Sequence, residues 1–165
     1  MTRHRNRRSH GGRGGRRRDR RQQSYRTVKE IWTDYLKDGY FDDDGYLRPQ
    51  YVARSTVEPL VMAMATARPK LSRSQLRRFF QHCRRIEARL LHDNGAWGEV
   101  QPRVLFLDSA AQDALRTPDQ KIPDLFYDFI RLNVATVKNA KDFLEGFIPH
   151  FEALVGFGSI HIKKQ

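Results

Sequence analysis

Between Ser72 and Gly95 the sequence leaves little choice of local structure. Leu76, Phe79, Phe80, Cys83, Ile86 and Leu90 recur every three or four residues, the spacing that gathers side chains on one face of an α-helix. Ser72 followed by Gln75 has the Ser-x-x-Gln form of a capping box, in which each residue satisfies a backbone N–H of the other. A helix is therefore predicted from just after Ser72 to Gly95, and it is expected at the centre of the core.

The same periodicity, read less sharply, organises the rest of the chain. Val28, Ile31, Trp32, Tyr35 and Leu36 predict a first amphipathic helix ended by Gly39. The stretch from Gly39 to Pro49 mixes turn residues with Tyr40, Phe41, Tyr46 and Leu47, and reads as a loop that packs back on the core. A second helix is expected over about Val57 to Ala67, bounded by Pro69. Residues 98–115 are ambiguous: Val100 and Val104 to Leu107 suit a strand or a buried helix, and Ala110, Ala111, Ala114 and Leu115 favour helix. A further helix starts at Thr117-Pro118 or Ile122-Pro123 and carries Leu125, Phe126, Phe129, Ile130 and Val137. The last carries Phe143, Leu144, Phe147, Ile148, Phe151, Leu154 and Val155, with Pro149 as a kink and Gly156 and Gly158 as its end. With no clear β alternation, the fold class is all-α: a compact bundle of five or six helices behind a disordered arginine-rich tail. The expected divisions are a basic tail over 1–24, a helical domain over 25–160 and a C-terminal end over 161–165.

Charge separates the tail from the body. Residues 1–21 hold ten arginines against the single Asp19, so +9 of the chain's +12 sits there, and no apolar residue follows Met1 until Tyr25. Such a segment cannot bury enough surface to offset its ordering entropy. It reads as an arm that neutralises phosphates without regard to sequence. The body has its own basic feature. Counting about 100° per residue from Arg73, the apolar face of the central helix covers about 220° to 340°. Arg73, Arg77 and Arg84 then form a row near 0° to 40° that borders this face, and Arg78, Arg85 and Arg89 a row near 120° to 160° that points away from it. Glu87 is the one acid from Arg73 to Leu91, too few for intrahelical pairing to account for six arginines. An anionic partner is the economical explanation.

Several function classes fall away. His82, His92, His150 and His161 have no metal-ligand spacing, and no phosphate-binding glycine loop, nucleophile elbow or Cys-His signature is present. His82, at the edge of the arginine face, suits a surface or phosphate-contacting role. Asp124 and Asp128 are the acids that a helix N-terminus favours rather than a metal pair. Aligning Gly45 with the sixth position of a calcium loop puts Tyr51 where the bidentate glutamate belongs, so Asp42-Asp43-Asp44 reads as a solvated turn. The apolar run Leu60 to Ala67 falls far short of the roughly 20 residues of a membrane span. One cysteine, Cys83, forms no internal disulfide, and no apolar segment follows the basic start as in a signal peptide, so the reducing cytoplasm is the expected compartment. No catalytic residue, metal or cofactor is expected.

At Gly39 to Val52 (GYFDDDGYLRPQYV) and Leu71 to Glu87 (LSRSQLRRFFQHCRRIE) the chain resembles the small α-helical subunit of the type III-A CRISPR effector, the Csm complex. Phe143 to Phe157 (FLEGFIPHFEALVGF) resembles that family's final helix, and the resemblance covers about residues 25–160. It implies a noncatalytic antiviral-defence protein, present in several copies and stacked on further copies of itself beside the backbone subunits. The basic surface of such a subunit follows the CRISPR RNA and its paired single-stranded target RNA. Target cleavage falls to the backbone subunits, and DNA cleavage and cyclic oligoadenylate synthesis to the large polymerase-like subunit. Carried onto this sequence, the RNA-binding candidates are Arg73, Arg77, Arg78, Arg84 and Arg85, with Lys70 and Arg48 beside them. The tail departs from the family core. A rival reading follows from it: a generic basic RNA-binding or RNA-chaperone protein that acts mainly through its tail.

Overall fold

The computed structural model describes residues 26–92 and 95–163; the tail expected over 1–24 lies outside the described residues. Five α-helices follow one another: α1 (Arg54–Thr66), α2 (Arg73–His92), α3 (Trp97–Arg116), α4 (Asp124–Thr136) and α5 (Ile148–His161). Among the described residues there is no β-strand, and Phe41 and Leu47 form an isolated antiparallel bridge. The all-α reading holds.

The capping box forms as the sequence requires. The Ser72 N–H donates to Gln75 Oε1 at 2.8 Å, and the Gln75 N–H to Ser72 Oγ at 3.2 Å. Leu76, Phe79, Cys83 and Ile86 are buried. Residues 98–115 resolve as helix, with Val100, Val104, Leu107 and Ala111 on the buried side. Of the two proposed starts for α4, the second is used, with Pro123 as the residue before Asp124.

Two expectations are corrected. Residues 28–36 do not form an amphipathic helix. One 3-10 turn, Val28–Glu30, is followed by irregular turns, and Leu36 has a left-handed φ of 56°. Long-range partners override the local pattern: Asp128 accepts the Val28 N–H at 2.8 Å, and the Tyr35 hydroxyl is bound in the core. The apolar residues still serve the core, since Val28 and Tyr35 are buried. Gly156 and Gly158 do not end the last helix, which continues to His161. Gly158 is a packing glycine, because a Cβ there would lie 2.8 Å from Leu76 Cδ2. α5 and α2 approach at that point.

A π-helical turn, Asp142–Phe147, leads into α5, and the Ile148 N–H bonds the Phe143 carbonyl five residues back. Pro149, which has no N–H to donate, follows at once. Within the turn, Gly146 admits the ring of Tyr40, whose Cγ would stand 2.5 Å from an added Cβ. The 39–52 segment therefore packs back on the core, as expected. Asp42 turns inward on its own loop, its Oδ1 accepting the N–H groups of Asp44 and Tyr46, while Asp43 and Asp44 are exposed.

α5 packs on α1 and α2, while α3 packs on α4 and α2. An aromatic spine fills the space between, with Phe126, Phe129, Phe143, Phe147 and Phe151 buried. The Phe147 and Phe151 rings stack at 5.5 Å. Arg73 closes one end by donating from Nε and Nη2 to the Ile162 and Ser159 carbonyls, which the last turn of α5 leaves without helical partners.

Candidate nucleic-acid interface

α2 carries its arginines between two neighbours, and each neighbour claims one row. Phe80, at the edge of the apolar face, meets Phe151 of α5 with ring centroids 5.3 Å apart. The row Arg73, Arg77 and Arg84 therefore lies on the α5 side. Arg73 is committed to the carbonyls at the end of α5. Arg84 pairs with Glu87 at 2.7 Å, both on α2. Arg77 is exposed.

The second row differs from its expected setting. Arg78, Arg85 and Arg89 do not simply point away from the body; they border the hollow that α2 forms with α3. A helical wheel marks one buried face, but α2 has a neighbour on each flank, so the positions near 120° to 160° become the wall of a groove. The groove has a volume of about 660 Å³, and Arg78, Phe79, His82, Arg85, Phe106 and Lys121 are among its lining residues. A smaller hollow of about 340 Å³, lined by His82, Arg85, Ile86, Arg89 and Arg103, adjoins it. His82 and Arg85 belong to both.

The electrostatics of this concavity are one-sided. It gathers Arg78, Arg85, Arg89, Arg103 and Lys121 against Asp113 as its acid. Among the described residues, Arg77, Arg78, Arg85 and Arg89 have no carboxylate within ion-pair distance. Exposed guanidiniums held side by side on a rigid helix repel one another and favour an anion that bridges them. His82 is fixed at the groove wall by a 3.2 Å contact between Nε2 and the Arg103 carbonyl, which places the proton on Nε2 because a carbonyl only accepts.

Of the seven candidates drawn from the sequence, the groove unites Arg78 and Arg85. Arg48 lies elsewhere, at the start of the Pro49–Tyr51 turn that packs on α1 and α5, and its Nε donates to the Phe41 carbonyl at 2.9 Å. Lys70 is exposed in the connection between α1 and α2. Three cations that the candidate set omitted belong with Arg78 and Arg85: Arg89, Arg103 and Lys121. Arg89 was visible in the second row. Arg103 and Lys121 carry no sequence signal, since only the packing of α3 on α2 brings them there.

Among the described residues no group of histidine, cysteine and acidic side chains is arranged to hold a metal ion. Burial pushes the Cys83 thiol well above its ordinary range, so it is a core side chain without thiolate character. No described helix is long and apolar enough to cross a membrane.

The family model described as Csm2 Type III-A matches residues 57–164, more than half of the chain, from α1 through α5. The Leu71–Glu87 and Phe143–Phe157 stretches fall inside the match and Gly39–Val52 precedes it. No curated protein and no solved structure matches the chain.

Proposed function

Because the chain belongs to the Csm2 type III-A family, that of a small subunit of the type III-A CRISPR complex, we propose that it is a noncatalytic RNA-binding subunit. In this reading several copies stack along the CRISPR RNA and the target RNA and contact both through the sugar-phosphate backbone. Its other partners are the backbone subunits and the large polymerase-like subunit, which carry the nuclease and polymerase chemistry. The helical body over 25–160 provides the folded surface, the arm over 1–24 adds charge, and the setting is the cytoplasm.

The observation that carries the reading is the arginine face of α2, above all Arg78, Arg85 and Arg89 on the groove with no acidic partner among the described residues. A protein that must accept any guide or target needs contacts that ignore base identity, and phosphate contacts do so. Arg77 and Arg84 extend the same surface toward α5, with Arg73 and Lys70 at its margins and Arg48 apart from it.

Two triple substitutions test it. Replacing Arg78, Arg85 and Arg89 by alanine is expected to weaken single-stranded RNA binding and to flatten the slope of log affinity against log salt by about 0.7 per lost contact. Replacing Arg73, Arg77 and Arg84 is expected to cost less affinity, because Arg73 and Arg84 already serve partners within the fold. If neither triple changes RNA binding, the assignment of the face is wrong.

A further inference from the structure

Phe106 is out of place by the ordinary accounting of a helical bundle. It sits on α3 beside the buried Leu107, yet 60% of its surface is exposed. Burying such a ring would stabilise the core, and the core forgoes it here. A single exposed aromatic needs no explanation by itself. Its position supplies one: the ring lines the basic groove, with Phe79 and Leu107 among the apolar lining and Arg78, Arg85 and Lys121 around them. The His82 imidazole lies beside it, 6.3 Å between centroids and tilted by 36°. His82 is itself bound to the Arg103 carbonyl of α3, the helix that carries Phe106.

We propose that this groove is a nucleotide cleft, in which a base turned out of the RNA strand stacks on Phe106 while Arg85, Arg89 and Arg103 hold the neighbouring phosphates. The inference rests on the RNA-binding reading and sharpens it, assigning a base-stacking site where that reading requires phosphate contacts alone. Its chemistry suits a subunit indifferent to sequence, because every base offers a π-face and stacking reads none of its edges. The size also fits. A hollow of about 660 Å³ with a smaller continuation accepts one nucleotide unit and its flanking phosphate, well within the range of small-ligand clefts. A purely phosphate-binding surface gains nothing from an exposed ring among its cations, whereas single-strand binders combine the two.

The test uses the full chain and two oligonucleotides of equal length, an oligoadenylate and an abasic strand with the same phosphates. Phe106→Ala, with an unchanged circular dichroism melt, is expected to weaken oligoadenylate binding by roughly tenfold, the usual size of one lost stacking contact. It should leave abasic-strand binding as it was, and Phe106→Tyr should keep both. Equal loss on both strands overturns the stacking site. Unchanged affinity of Phe106→Ala for both strands also overturns it, while the RNA-binding reading stands if the Arg78, Arg85 and Arg89 triple still binds weakly. If Phe106→Ala keeps its RNA affinity but loses self-association in sedimentation, the groove is a protein surface between copies, and the cleft is excluded. Failure of the wild-type chain to bind either strand removes the RNA-binding reading and the cleft with it.

Discussion

His150 has two ring nitrogens and, in the core, two partners that decide its protonation. Nδ1 lies 2.6 Å from the Tyr51 carbonyl, which can only accept, so Nδ1 carries the proton. Nε2 then accepts from the Tyr35 hydroxyl at 2.8 Å. Tyr35 in turn accepts from Asn133 Nδ2, and Asn133 Oδ1 accepts from the Tyr40 hydroxyl. Every polar atom of this buried chain points one way, and a second proton on His150 has nowhere to donate. Burial pushes the His150 imidazole down to about 4, against a rise from the Tyr51 carbonyl. A folded value below the unfolded one means that the unfolded chain binds the extra proton first as pH falls. Stability from this site is full above about pH 6.5 and is lost as pH drops toward 4, by about 3 kcal/mol over the window. Urea midpoints measured between those limits should fall with acid, and His150→Gln should flatten that part of the profile. Nothing in the sequence marked this network, because Tyr35 and Tyr40 lie about a hundred positions from Asn133 and His150 and share no motif with them.

At the scale of elements, α2 is the most legible part of the molecule. Its cap, its apolar face and its two arginine rows follow from a 3.6-residue period that holds whatever surrounds the helix. Ser72→Ala removes the acceptor of the Gln75 N–H, and is expected to cost about 1 kcal/mol in urea unfolding. Amide exchange should quicken in the first turn of α2 and remain slow around Cys83. The segment before α1 was the least legible. Its apolar spacing is helical, but Val28 and Tyr35 are held by Asp128, Asn133 and His150, residues about a hundred positions away. α5 shows the converse, since its glycines look like breakers and one of them is a contact point for Leu76.

For the whole molecule, charge and fold are separable. The first 21 residues carry most of the excess charge, while the buried apolar side chains of the described residues begin at Val28. Deleting residues 1–21 is therefore expected to lower RNA affinity and its salt dependence while leaving the thermal midpoint of the body unchanged, as followed by circular dichroism. If the deletion abolishes RNA binding altogether, the rival reading of a tail-driven basic RNA binder gains and the groove loses its part. Period and charge along single segments sufficed for the helical class, the heart of four of the five helices and the presence of an arginine face, and over residues 98–115 they only favoured helix over strand. The family match rests on the same linear information. Which arginines serve the fold and which line a groove was settled by the packing of the helices. Arg73 is drawn to the end of α5, and Arg103 and Lys121 join Arg78 and Arg85 across the packing of α3 on α2. Such groupings depend on how two helices approach one another, and helix–helix approach is set by the side chains of both partners together, which no single segment encodes.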